Sequence, residues 1–376
     1  MNMYIKEIER PKLEQTDNKP PIHRVVKIWL LIGLVMVFIQ VVVGGVTRLT
    51  DSGLSITEWA VIQGTLPPLN QAEWEEAFEL YKVAAKKQYE SLHADMTLSE
   101  FKVIFFWEYI HRLWARAMGF VFLLPFVFFV IKGWIPKWLM KNLGLVVLLA
   151  AAAATFGWIM VASGLNEDNR TWVSAYKLVA HLSIATAVFA SLFWAYLRSL
   201  QPKTYDGHFP RLKRMAWSVT ALLIVQIIFG GLMAGMKAGL VHPSFPWFVE
   251  GDRLLSALQS GNADLVNYES SASIKASVQI IHRATAYLLV AAMIAFFIKL
   301  IKAPISARLR RGGYTMITLI GVQFLLGVLT VINSIGRIPI GYGVLHQGVA
   351  LLLLISMLYI IYQLKSKSVS KYVENH

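Results

Sequence analysis

Eight stretches of roughly twenty residues run through this chain almost free of charge, and no other feature constrains the fold so strongly, because about 20 apolar residues in a helix cross a hydrocarbon core about 30 Å thick. They extend approximately over Ile28–Thr47, Val103–Ile131, Leu143–Leu165, Leu178–Leu197, Met215–Met236, Ala276–Ile298, Tyr314–Ser334 and Gly341–Leu364. A single soluble domain is excluded. With 56% hydrophobic and 15% charged residues and a mean hydropathy of +0.54, it would turn large apolar patches to water. The expected fold class is an all-α integral membrane protein with eight transmembrane helices. The first stretch lies too far from the start, is too long and lacks a small-residue cleavage site, so it reads as a span and not as a signal peptide.

The formal charge of +14 follows from topology. The basic residues are scattered between the spans and form no single patch, so nucleic acid is not an expected partner. The tails and loops on one side hold 22 Lys and Arg, the opposite loops hold 11, and Arg112, Arg116 and Arg283 fall inside spans. By the positive-inside rule both termini are expected in the cytoplasm. Two outer loops are long, Arg48–Lys102 and Lys237–Lys275. In the first, Asn70 can cap a helix through Tyr89 that carries Trp74, Phe78, Tyr81 and Ala85 on one face. That helix lies on the membrane surface, lids the bundle, or is an ordinary loop helix.

Self-comparison reveals an internal repeat. Gln40-Val-Val-Val-Gly44-Gly45 matches Gln226-Ile-Ile-Phe-Gly230-Gly231 at an offset of 186, and Gly53-Leu54 and Gly239-Leu240 keep it. Ile110-His111-Arg112 pairs with Ile281-His282-Arg283, Gly157 with Gly327, and His181 with His346. Each half therefore holds four spans inserted in the same direction, and the expected architecture is two four-helix bundles related by a pseudo-twofold along the membrane normal. The boundaries are a tail over 1–27, an N-terminal half over 28–200, a C-terminal half over 201–364 and a tail over 365–376.

Four of the nine histidines sit one per even-numbered span, near the outer side. A single intramembrane His serves an interhelical hydrogen bond about as readily as a ligand. Four that match by symmetry favour ligation. Two facing imidazoles in a four-helix bundle suit a six-coordinate heme better than zinc or di-iron, which need further ligands. With no cysteine in the chain, iron–sulfur clusters, thiolate chemistry and CxxCH heme attachment are excluded. Gly44, Gly45, Gly230 and Gly231 would let a flat macrocycle approach the backbone, or serve close helix packing. Arg48, Arg112, Arg116 and Arg283 are candidates to pair with heme propionates; Arg116 could equally snorkel to the interface.

The halves differ at one telling position. Glu108, three residues before His111, faces the same way along its helix, whereas the second half has Gln279. An ion pair with Arg112 would explain the carboxylate, yet Arg283 does without one. The first half is therefore expected to host chemistry and the second to hold a permanent heme.

The two halves, the Glu108-x-x-His111-Arg112 motif, Gly44-Gly45-x-Thr47-Arg48 followed by Ser52-Gly53-Leu54-Ser55, and the histidines on even helices together resemble the heme A synthase family, from Val25 to Leu364. The resemblance implies an enzyme of the bacterial-type inner membrane that oxidises the C8 methyl of heme O to a formyl group by two successive hydroxylations. It implies that His111 and His181 flank the substrate heme, with Arg112 beside them, that His282 and His346 are the axial iron ligands of a heme B cofactor, and that Glu108 is the essential carboxylate. The partners it implies are heme O, membrane lipid, an electron-transfer protein, and as candidates a heme O synthase and a second copy of the chain. Lacking cysteine, the chain resembles the cysteine-free branch. The competing readings are a diheme b-type cytochrome that exchanges electrons with quinone and a heme carrier.

Overall fold

A computed structural model describes residues 22–57, 66–165, 171–200, 209–246 and 271–364. Among these, eight helices are long and apolar enough to cross a membrane. They are α1 (Arg24–Leu49), α4 (Leu98–Ile131), α5 (Lys137–Ala162), α6 (Ala175–Ser199), α7 (Pro210–Gly235), α8 (Ala272–Lys302), α9 (Ala307–Ile332) and α10 (Ile340–Gln363), with α2 (Gln71–Ala84) and α3 (Lys86–Leu92) between α1 and α4. Each of the eight apolar stretches becomes one helix, usually extended at its ends by a few polar residues.

Local chemistry sets several of the ends. Thr97 and Glu100 form a reciprocal capping box at the start of α4, Ser271 and Ser306 cap α8 and α9, and Pro210 opens α7, where its missing N–H costs nothing. Inside α4, Pro125 cannot donate to the carbonyl of Val121. The Trp29 indole of α1 donates to that carbonyl instead, at 3.0 Å.

In the first half α1 packs on α4 and α6, and α5 on α6; in the second α7 packs on α8 and α10, and α9 on α10. Between halves, α6 lies on α7, α1 on α10, and α6 on α10. These contacts exchange among themselves when α1, α4, α5 and α6 are swapped with α7, α8, α9 and α10. One does not: α8 packs closely against α9, whereas among the described residues α4 and α5 do not pack closely. Close approach between the halves relies on small residues, as expected where lipid removes any hydrophobic drive. A Cβ on Gly235 would stand 2.8 Å from the Ala175 backbone, and one on Gly45 would stand 2.9 Å from Gln347, whose amide donates to the Val41 carbonyl.

The outer-loop helix forms from its Asn70 cap but ends at Ala84, and a second helix resumes at Lys86. Its aromatic face is used: Trp74 packs edge-on against Phe101 and Phe105 of α4 and Phe78 stacks on Phe101, with Phe78 and Tyr81 buried.

Candidate functional site

Each half presents its two histidines in the same way. On α4 and α8 the ring is flanked by a glycine and a glutamine of the preceding span. A Cβ on Gly44 would lie 2.9 Å from His111 and one on Gly230 3.4 Å from His282. The Gln40 amide donates to the His111 carbonyl at 3.2 Å and also touches Nε2 of that ring, and the Gln226 amide donates to the His282 carbonyl at 3.0 Å and also touches both ring nitrogens. Thr285 donates to the oxygen of Gln226 and fixes which way that amide faces.

On α6 and α10 the ring is held by the backbone of the neighbouring helix. His181 Nδ1 lies 2.8 Å from the Ala153 carbonyl and His346 Nδ1 lies 3.1 Å from the Gln323 carbonyl. An imidazole that donates Nδ1–H to a carbonyl carries its lone pair on Nε2, the arrangement a metal ligand requires. Gly157 and Gly327 make room for it, since an added Cβ would stand 3.0 Å from each ring.

In the second half these parts meet around one cavity of about 250 Å³, lined by His282, His346, Gly230, Gly327, Arg48 and Arg283 among mostly apolar side chains. The two imidazole centroids are 6.5 Å apart. Two metal–nitrogen bonds of about 2 Å, plus the reach from nitrogen to ring centre, separate opposed imidazoles by about 6 Å, so the residues fit an iron between them. His111 and His181 form no such ring pair; the Nδ1 of His111 is buried without a partner.

Arg48 belongs to α1 but lines the cavity of the other half. Its guanidinium donates to the Ala234 and Gly235 carbonyls at the end of α7, each at 3.2 Å, and lies 3.5 Å from Asp51, while Nε is buried with no acceptor. Arg283 donates to the Ser244 and Pro246 carbonyls at 2.8 and 3.1 Å. Arg116 stands one turn beyond Arg112 on α4, half-buried.

Glu108 is 2% exposed and fully engaged. One oxygen takes Arg112 Nη2 at 2.6 Å and Nε at 3.1 Å; the other takes the Ser55 hydroxyl at 2.7 Å and the Ile56 N–H at 2.9 Å. Arg112 also donates to the Ile56 carbonyl at 2.8 Å. The carboxylate therefore turns to the segment that follows α1 and pins it over α4. In the second half Gln279 donates to the His242 carbonyl at 2.9 Å, so an amide and an arginine perform the same pinning without the charge.

Sequence reasoning gave no role to Gln40, Gln226 or Gln323. The signal was available for the first two, which open the repeated motif as polar residues inside apolar spans. That Arg48 serves the other half has no local signature.

The profile of the COX15-CtaA family, cytochrome oxidase assembly proteins, matches residues 27–358. The chain is 36% identical to the heme A synthase of Flavobacterium johnsoniae over 342 residues, covering 91% of this chain and 98% of that one. It is 40% identical to the heme A synthase of Bradyrhizobium sp. (strain ORS 278), covering 88% of each chain, and 36% identical to that of Nitrosospira multiformis, covering 94% and 97%.

Proposed function

Because the chain belongs to the COX15-CtaA family of cytochrome oxidase assembly proteins, we propose that it is a multi-pass membrane oxidoreductase that converts heme O to heme A. A ring methyl, C8, becomes a formyl group: two successive hydroxylations give a geminal diol, which loses one water, and the four electrons the carbon gives up overall are taken by an external oxidant or electron-transfer partner. The observation that carries the assignment of roles is the contrast between Glu108, held by Arg112, Ser55 and Ile56, and Gln279 at the matching place.

In this reading His282 and His346 would hold a permanent heme B, which would supply one-electron redox chemistry when bound. Gln226 and the Gln323 carbonyl orient the two rings, and Arg48 and Arg283 take the propionates. His111 and His181 flank the substrate heme, with Arg116 toward its propionates. Arg112 and the 55–56 backbone hold the Glu108 carboxylate in one orientation, from which it accepts a proton or steadies positive charge at the methyl. The helix packing that exchanges between halves supports a pseudo-twofold along the membrane normal. The excess of Lys and Arg on one side supports cytoplasmic termini in an inner membrane. A heme O synthase is the source of substrate, and a second copy of the chain is a candidate partner.

Extraction of pigment from protein co-expressed with a heme O synthase tests the reading. Mass analysis should find heme B together with heme O and heme A. Heme B alone at two per chain would refute it in favour of a diheme cytochrome.

A further inference from the structure

This inference rests on the reading of the first half as the site of heme O, a porphyrin that carries a long isoprenoid tail. We propose that the tail lies in an open seam between α4 and α5, beside Gly119 and Ala150, and that the substrate enters from the bilayer and leaves to it by the same seam.

The second half shows what a closed seam looks like. Rings of α8 and α9 meet at both ends, Tyr287 with Phe324 at 6.0 Å and Phe297 with Tyr314 at 5.3 Å, and an added Cβ on Gly313 would stand 3.0 Å from Leu300. No ring pair joins α4 to α5 among the described residues. The most apolar windows of α4 and α5 are each only 6% buried, against 22% for α8 and 11% for α9.

Position by position, the difference has a cause. The inward stripe of α9 runs through Met316 and Ile320, both buried, to Gln323 and Gly327 beside His346. The matching stripe of α5 runs through Val146, buried, to Ala150, which is exposed, and then to Ala153 and Gly157 beside His181. Across the seam, a Cβ added to Gly119 would meet nothing within 4 Å, whereas its counterpart Val290 lines the second-half cavity. A branched side chain on each wall has thus become a glycine and an alanine. The opening is continuous with the histidine layer, since Ala150 precedes by one turn the residue whose carbonyl holds His181. It closes at its far end, where Phe129 and Leu143 are buried. Its walls are apolar and open to lipid, which suits an isoprenoid chain and admits the bulky porphyrin from the side. The matched cofactor site, sealed by α8 and α9, retains what it binds.

The test transplants the closed wall. Gly119→Val with Ala150→Ile installs residues that the second half already packs. In purified protein with its second-half heme in place, heme O and tail-free heme B are titrated into the first half and followed by the Soret band. The variant should bind heme O about tenfold or more weakly than the wild type, with heme B affinity unchanged. Equal weakening of both porphyrins, or of neither, overturns the proposal. The reverse exchange, Val290→Gly with Ile320→Ala, should let heme O compete for the second half, read as heme O in the extracted pigment, and exclusion of heme O there counts against the proposal. If the wild type binds neither porphyrin in its first half, the assignment of that site falls, a result distinct from failure of the seam.

Discussion

Replacing Glu108 by Gln removes one charge and leaves the shape intact. In the wild type four donors converge on the carboxylate, two from Arg112 and one each from Ser55 and Ile56. Hydrogen bonds to a charged group contribute about 1.5–3 kcal/mol each. Gln keeps one acceptor oxygen but must turn its amide toward Arg112 or toward the 55–56 segment, so about two of the four bonds are lost. Arg112 keeps the Ile56 carbonyl, and the second half packs Gln279 and Arg283 in the same setting. The net cost is therefore set at about 3 kcal/mol, confined to the segment after α1. The second-half heme should be bound with a wild-type spectrum. Heme A formation should fall by about 10²–10⁴, the range for a positioned proton-transfer group. Co-expression with a heme O synthase, followed by chromatography of extracted pigment, measures the heme A to heme O ratio beside the heme B content. Wild-type heme A yield from Glu108→Gln refutes the reasoning. Arg112→Leu should be worse for stability than Glu108→Gln, because it leaves the carboxylate buried and uncompensated, at about 3–5 kcal/mol.

Glycine-to-alanine substitutions should rank by the room beside each histidine: Gly327→Ala, with its Cβ 3.0 Å from His346, should lower heme B content more than Gly230→Ala at 3.4 Å. Equal losses in pigment analysis would argue against packing as the cause. The ion pair of Asp51 and Lys237, 2.9 Å apart, should show coupling on charge reversal: Asp51→Lys and Lys237→Asp each lower the thermal midpoint, and the double variant recovers part of the loss, about 1 kcal/mol or less. Additive losses would deny the coupling. Burial holds the His93 imidazole, which sits 2.6 Å from the Tyr81 hydroxyl, below its ordinary pKa of 6.5. The folded state thus binds the proton less well than the unfolded one, and stability is present above that value and lost as pH falls through it. Proteolysis of the α2–α3 segment should rise on acidification in the wild type and not in His93→Phe.

The eight spans were legible because apolar length alone decides them; the observed helices begin earlier than their apolar run, while some end short of it, as at Ala162 rather than Leu165 and at Ile332 rather than Ser334. The Asn70 cap was legible too. The break at Ala85 was not, because alanine has the highest helix propensity and nothing local opposes continuation; the interruption goes with Tyr81, whose hydroxyl donates to Gln88 across it at 3.1 Å, and Gln88 in turn donates to the Asp51 carbonyl. The four histidines and Glu108 stood out as polar residues in apolar spans. Their surroundings could not be read: Ser55 and Ile56 lie more than fifty residues before Glu108, and spacing along one helix says nothing about such a partner. The spacing of Glu108 and His111 suggested a shared target, whereas the carboxylate turns to the preceding segment.

Asp51 and Lys237 are 186 residues apart, the offset of the repeat itself, and both adopt positive φ, at 55° and 50°. Each thus touches its own counterpart. In a dimer of two identical units a residue at such a contact meets its own copy, and any charge there faces the same charge. Opposite charges become available only where the two copies differ in sequence, as they can when joined in one chain. This contact therefore works as a lock that accepts the other half and rejects a duplicate, so two N-terminal halves or two C-terminal halves would bring like charges together where this chain has an ion pair.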